Sequence, residues 1–328
     1  MVTRRAFATL AAVSLLVLAL TLLTSAVLLA EQTQNDHRRA EADVLARSAI
    51  WKQIGTLLTA LQAWNSDELT FDAWWAQNSA AFVPTSLVSL SARLNLNTLT
   101  PFLLSDSDLK TALLVSADQF VTYRSTKGPR ADLSDYAAMF TPASMANWFC
   151  SDSRFNVNTA DEIVLERIIA TRTGSEAVGA AMRQSLRNFR QNRQPLTNSD
   201  WQTLAGSDLA SLDGLLTTDP ELDVNEIPAD LLRILLKDPD FALDQPDAKA
   251  QTLIVGRAQK PWTPEILREV LGVDKKSPLL QYLGTRTSFV EAHVVQDALA
   301  MRFVIALSYS QDSPPRIAAR ILVNQDIR

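Results

Sequence analysis

The sequence predicts an α+β protein in which an antiparallel sheet, divided along the chain, is joined to one long N-terminal helix and interrupted by a large helical insertion. Three features point that way. An apolar run near the amino terminus continues into an amphipathic stripe, strand-like segments flank a long stretch of helical pattern, and that stretch contains a repeat.

The helix comes first. From Phe7 to Ala30 the chain carries no charged residue for 24 positions, enough to cross a hydrocarbon core of ~30 Å. Arg4 and Arg5 precede the run and Glu31 follows it, which orients the amino terminus to the cytoplasm and the bulk of the chain outside. A cleaved signal peptide ending near Thr24-Ser25-Ala26 and an unprocessed signal anchor are the competing readings. The short basic leader, residues 1–6, abuts the apolar run directly at Ala6 and Phe7, a pattern suited to a cut before the hydrophobic segment. Beyond Glu31, the residues Ala42, Ala46, Ile50, Ile54, Leu57, Leu61 and Trp64 recur at steps of three and four. With no breaker between, one helix is expected from Phe7 to about Trp64.

The sheet is expected on both sides of the helical stretch. Leu87 to Asn97 alternates loosely and reads as one strand ending in Asn95-Leu96-Asn97, which closes a first unit of residues 31–98. Phe289–Val295, Met301–Leu307 and Ile317–Val323 read as three more strands within residues 282–328, separated by turn chemistry.

Residues 99–281 are helical in pattern and contain two similar blocks, at about 155–206 and 222–272. The first opens Phe155-Asn156-Val157-Asn158 and the second Leu222-Asp223-Val224-Asn225; each then runs through a Pro and a Thr to a Gly. Thr159 and Glu162 have the spacing of a capping box, and Pro228 stands where a helix start tolerates a missing amide hydrogen.

Composition excludes several functions. The 328 residues carry 31 Lys+Arg and 36 Asp+Glu, a net charge of -5, without the basic excess that phosphate-backbone binding needs. One cysteine, Cys150, and two histidines, His37 and His293, leave no material for a cysteine metal cage and little for a triad. No Gly-x-Gly, P-loop or nucleophile elbow occurs, so no enzyme is expected. His293 and Glu291 read as a strand surface pair, His37 as part of a solvated collar, and Cys150 as a buried apolar residue. Asp238, Asp240, Asp244 and Asp247 put four carboxylates into ten residues interrupted by Pro239 and Pro246. Such oxygen ligands suit calcium; a solvated acidic loop is the competing reading.

The blocks opening Asn-Val-Asn resemble helix-hairpin-helix modules of the SAM-like kind. Both lack the Gly-x-Gly hairpin that lets backbone amides approach a phosphate, which favours protein contact over DNA. Leader, Arg93-Leu94-Asn95-Leu96-Asn97, the paired blocks and a final β segment opening Arg286-Thr287-Ser288-Phe289 together resemble the minor pseudopilin K (GspK) family of the type II secretion system. The structural motif residues of that resemblance are Asn95, Asn97, Asn156, Asn158 and Asn225. It implies a pilin-like fold, cleavage between Ala6 and Phe7 by prepilin peptidase, and a methylated mature terminus. It also implies a single-pass inner-membrane protein with a periplasmic head, placed at the pseudopilus tip with I- and J-like minor pseudopilins, the major pseudopilin and the inner-membrane secretion platform as partners. Calcium in the helical domain belongs to the same implication. The fifth position of the mature chain, where major pilins carry Glu, is Ala11, as the K subunit usually shows. A competence-type nucleic-acid-binding protein using tandem helical modules is the alternative function.

Overall fold

The computed structural model describes residues 2–66, 68–99, 103–104, 108–128, 133–151, 155–191, 195–206, 212, 216–297, 299–307 and 315–323; the side chains of residues 2–19, 108, 146, 240, 316 and 318–323 lie outside that description. Helix α1 runs unbroken from Val2 to Ala63. Ala46, Ile50, Ile54, Leu57 and Leu61 are buried, as the periodicity requires, because this face meets the sheet. Ala42 is exposed and Trp64 lies just past the helix end, its indole N–H donating to the Leu69 carbonyl at 2.9 Å. Leu20, Leu22, Leu23, Val27, Leu28 and Leu29 are exposed along the other half. Among the described residues no helix is long and apolar enough to cross a membrane; the first 13 residues of the Phe7–Ala30 run lie outside the described side chains.

A short helix α2 (Phe71–Asn78), capped by the Thr70 hydroxyl, carries Phe71 and Trp74 under the end of α1. The sheet follows. Strand β1 (Thr85–Ser89) pairs antiparallel with β8 (Phe289–Gln296), which pairs with β9 (Leu299–Ala306), which pairs with β10 (Arg316–Val323). The order is therefore β1-β8-β9-β10, with β1 at an edge. Leu87, Val290, Ala292, Val294, Met301, Phe303 and Ile305 point at α1 and form one core with it. Glu291 pairs with Arg302 of β9 at 3.0 Å.

The single strand expected over Leu87–Asn97 is two. The chain leaves the sheet after Ser89, turns, and forms β2 (Leu94–Asn95), which pairs with β3 (Phe149–Cys150) in parallel. Alternation continued through both pieces, so periodicity alone could not separate them.

Between β1 and β8 the chain builds three helical modules. The first has α3 (Ala117–Lys127) and α4 (Pro142–Trp148) between β2 and β3. The second opens with β4 (Phe155–Asn156), continues through α5 (Glu162–Thr173), α6 (Glu176–Gln191) and α7 (Asn198–Ala205), and closes with β5 (Leu216–Thr217). The third opens with β6 (Leu222–Asp223), passes α8 (Ala229–Leu236), α9 (Pro246–Arg257), α10 (Pro264–Leu271) and α11 (Leu279–Tyr282), and closes with β7 (Leu283–Gly284). Each closing strand lies parallel beside its own opening strand.

The first and third modules share one hydrophobic core, whereas the second has its own around Leu165, Ile169, Leu186 and Trp201. Helices α5 and α6 meet closely at Gly179, where an added Cβ would lie 2.6 Å from the Glu166 carbonyl oxygen. The expected Thr159–Glu162 capping box does not form. Asp161 caps α5 instead, accepting from the Ile163 amide at 2.8 Å, because residues 156–160 are held in a turn.

Candidate functional site

The Asn-containing motifs open all three modules with the same turn. The side chains of Asn95, Asn156 and Asp223 accept the amides two residues on, of Asn97, Asn158 and Asn225, at 3.0, 2.8 and 2.9 Å. The carbonyl of each opening residue accepts two further amides, for example those of Thr159 at 3.2 Å and Ala160 at 2.8 Å in the second module. The residue between the two polar positions donates to the closing strand: Leu96 to Cys150, Val157 to Thr217 and Val224 to Gly284, at 2.9, 2.8 and 2.9 Å.

This turn leaves two carbonyls facing inward, and an arginine takes both. Arg124 donates to Leu96 and Leu99 at 3.2 and 2.5 Å. Arg190 donates to Val157 and Ala160 at 2.9 and 2.6 Å, and Arg257 to Val224 and Ile227 at 3.0 and 2.6 Å. Burial lowers the pKa of all three, opposed by nearby carboxylates: Asp161 foremost for Arg124, Glu162 for Arg190 and Glu226 for Arg257. The Arg124 side chain is 0% exposed and meets Asp161 at 3.2 Å, which ties the first module to the cap of α5 in the second. These arginines were not found from sequence. The signal was present: an Arg stands 34 residues after Asn156 and again 34 after Asp223.

The second polar residue of each motif fixes the next helix. Asn158 accepts the Leu196 amide at 2.8 Å and donates to its carbonyl at 3.1 Å, setting the residue before Thr197, the N-cap of α7. Asn225 accepts from Trp262, the residue before Thr263, the N-cap of α10, at 2.8 Å. In the first module the Tyr136 hydroxyl donates to Asn97 at 2.7 Å. Asn156 reaches between modules, donating to the carbonyls of Asp219 at 2.8 Å and Gln281 at 3.1 Å.

The position after the second Asn differs between modules. Thr159 donates to Glu221 at 2.7 Å, at the entry to the third module. Its counterpart Glu226 is buried against α2, where one carboxyl oxygen accepts the Asp72 amide at 3.4 Å. The other oxygen is buried and, among the described residues, has no hydrogen-bond partner. Burial, then the charges of Asp72 and Asp223, push the Glu226 carboxyl up to about 9. Burial likewise raises Asp223 to about 6, although the Asn225 amide and Thr287 hydroxyl bond it.

Three carboxylates of the acidic loop are described, and each has a different setting. Asp238 is 2% exposed, Asp244 is exposed, and Asp247 pairs with Lys237 at 2.8 Å in the first turn of α9. The Asp240 side chain lies outside the described residues. Among the described residues no three His, Cys, Asp or Glu side chains are grouped to hold a metal ion. Ala6, Phe7 and Ala11 lie in the backbone of α1, with side chains outside the description. Cys150 is buried, its thiol 3.7 Å from the Arg93 carbonyl, and His37 is exposed, 3.3 Å from Glu41.

Two clefts mark where the insertion meets the rest. One, of about 440 Å³, lies between the second and third modules and the sheet end; its charged residues are Asp219, Arg268 and Arg286. The other, of about 390 Å³, runs beside β1 and is bounded by Asp72, Arg93, Trp148 and Asp230. Comparison with protein-family profiles, with curated proteins and with solved structures gives no match to this chain.

Proposed function

We propose that the protein is a minor pseudopilin of the K type, placed at the tip of a type II secretion pseudopilus and anchored in the inner membrane with its head in the periplasm. The observation that carries this reading is the unbroken helix Val2–Ala63, whose last turns pack on a four-stranded antiparallel sheet. A fibre assembled from the membrane needs helix and head joined in this way, so that movement of the helix out of the bilayer carries the head with it. The helical insertion between β1 and β8 and the absence of Glu at Ala11 support placement at the tip, where no subunit above would supply an amine to a buried carboxylate. Its partners in this reading are I- and J-like minor pseudopilins, the major pseudopilin and the secretion platform, and it performs no catalysis and binds no nucleic acid.

Co-expression with prepilin peptidase and I- and J-like pseudopilins tests the reading. The expected result is a mature chain starting with a methylated Phe7 and a stoichiometric complex of heads. A mature start near Val27 would make the segment a conventional signal peptide. Sub-micromolar, steeply salt-dependent DNA binding would favour the competence-type alternative. Calcium ordering of the loop with Asp238, Asp240, Asp244 and Asp247 is a separate proposal, read from thermal unfolding with calcium, magnesium and chelator.

A further inference from the structure

Strand β1 is an edge, and its hydrogen-bonding geometry says which groups face outward. Leu90 donates to the Phe289 carbonyl at 3.0 Å, and the register continues Ser89 with Val290, Val88 with Glu291 and Leu87 with Ala292. Bonded and non-bonded pairs alternate in an antiparallel ladder. Val88 therefore exchanges its bonds with β8, while Leu87 and Ser89 turn their amides and carbonyls away from it. Among the described residues no strand pairs with that outer side.

The cleft of about 390 Å³ lies along this edge, with Leu87, Val88 and Ser89 in its lining. Val88 is 38% exposed there. The Ser89 hydroxyl is buried and, among the described residues, has no hydrogen-bond partner. A free edge bearing a valine invites pairing with another chain, and recognition by strand addition takes affinity from the main chain and specificity from pockets for alternate side chains. The charges of the cleft choose the sequence: Asp72 and Asp230 are exposed carboxylates, Asp230 with one oxygen 3.2 Å from Arg233, and Arg93 is the one cation among the cleft's described lining residues. Trp148 and Pro228 supply an apolar wall opposite.

We infer that this cleft receives an extended, basic segment of a partner protein as a fifth strand beside β1, its Lys or Arg meeting Asp72 and Asp230. The inference depends on edge, cleft and charge, and stands whether or not the protein belongs to a secretion fibre.

The test uses the full chain in detergent micelles and three synthetic seven-residue peptides of alternating threonine and valine. One has a central lysine, one a central glutamate, and one the lysine with alternate backbone amides methylated. The lysine peptide is expected to bind at least tenfold more tightly than either of the others, and to slow amide exchange at Leu87 and Ser89. Asp72→Asn with Asp230→Asn should abolish the preference for lysine over glutamate. Ser89→Pro removes an outward N–H while leaving the β8 ladder intact, and should weaken binding at least tenfold; should that variant not fold, the methylated peptide tests the same bond. Equal binding of all three peptides, no binding of the lysine peptide, or amide protection away from β1 would overturn the inference. Self-association that the lysine peptide cannot displace would also overturn it, since a second copy would then hold the edge.

Discussion

In the second module Arg190 holds the turn carbonyls of Val157 and Ala160 and lies 3.9 Å from Glu162, a carboxylate that Arg187 also meets at 3.0 Å. In the third, Arg257 makes the same two bonds to Val224 and Ile227, but the carboxyls nearby are the buried Glu226 and Asp223. The closing geometry is common; the residue after the second Asn is not. Thr159 uses that position to reach Glu221 and so joins two modules, whereas Glu226 uses it to reach α2 and so joins the insertion to the head. Backbone carbonyls and one arginine set how a module closes, which leaves this side chain free to decide what the module touches.

The comparison breaks most severely at Arg124, the one clamp whose side chain has no exposure. Arg124→Ala would strand two buried carbonyls and take from Asp161 its ionic partner, and about 4 kcal/mol of stability should be lost. Denaturant unfolding measures it, and Arg124→Lys should recover little because an ammonium lacks the fork.

Next in size is a pH effect confined to the third module. Both raised carboxyls favour the folded state while protonated, so stability is fully present below their ordinary values of 4.5 and 3.8 and is lost as pH rises toward about 9 for Glu226 and about 6 for Asp223. Above pH 6.5 the Glu226 contribution remains, and stability should fall by roughly 1.4 kcal/mol per pH unit toward pH 8, since one proton is released on unfolding. Glu226→Gln keeps the neutral shape and should flatten that limb. A slope unchanged by the substitution would place the titration elsewhere.

Asn158→Ala removes both bonds to Leu196 and should cost about 2 kcal/mol. The matching Asn225→Ala also loses its bond to the Thr285 carbonyl, 3.0 Å away, so its midpoint should fall further. The smallest effect is expected at the surface: Thr197→Ala deletes the cap of α7 for about 1 kcal/mol. Loss of the Thr197 hydroxyl should also raise the Asp200 carboxyl, which that hydroxyl and amide hold below its usual range. An NMR titration reads the latter.

Much of this arrangement was legible in the chain. The period of three and four along α1 located Ile50, Ile54, Leu57 and Leu61, and the turn chemistry around Asp297, which adopts a φ of 53°, separated β8 from β9. The offset between Asn156 and Asp223 revealed two modules. The first module escaped because Leu94-Asn95-Leu96-Asn97 continues the alternation of β1, and its arginine comes only 29 residues after Asn95. Glu226 escaped for a different reason: a carboxylate beside a turn reads as solvated, and only the packing of α2 puts it out of water. Asp238, Asp244 and Asp247 show the converse, since their closeness in sequence is divided by the fold between burial, exposure and a lysine.

The Leu90 amide and the Phe289 carbonyl are hydrogen-bonded although nearly two hundred residues of chain separate them. Within that excursion Asn156 lies opposite Thr217, and Asp223 opposite Gly284. Entry and exit thus coincide at every level, like parentheses that open and close side by side. A lineage can therefore duplicate, lengthen or discard the text between one pair of brackets without shifting the registers on either side. Gene duplication would extend such a protein one module at a time, and the sheet would not record how many had been added.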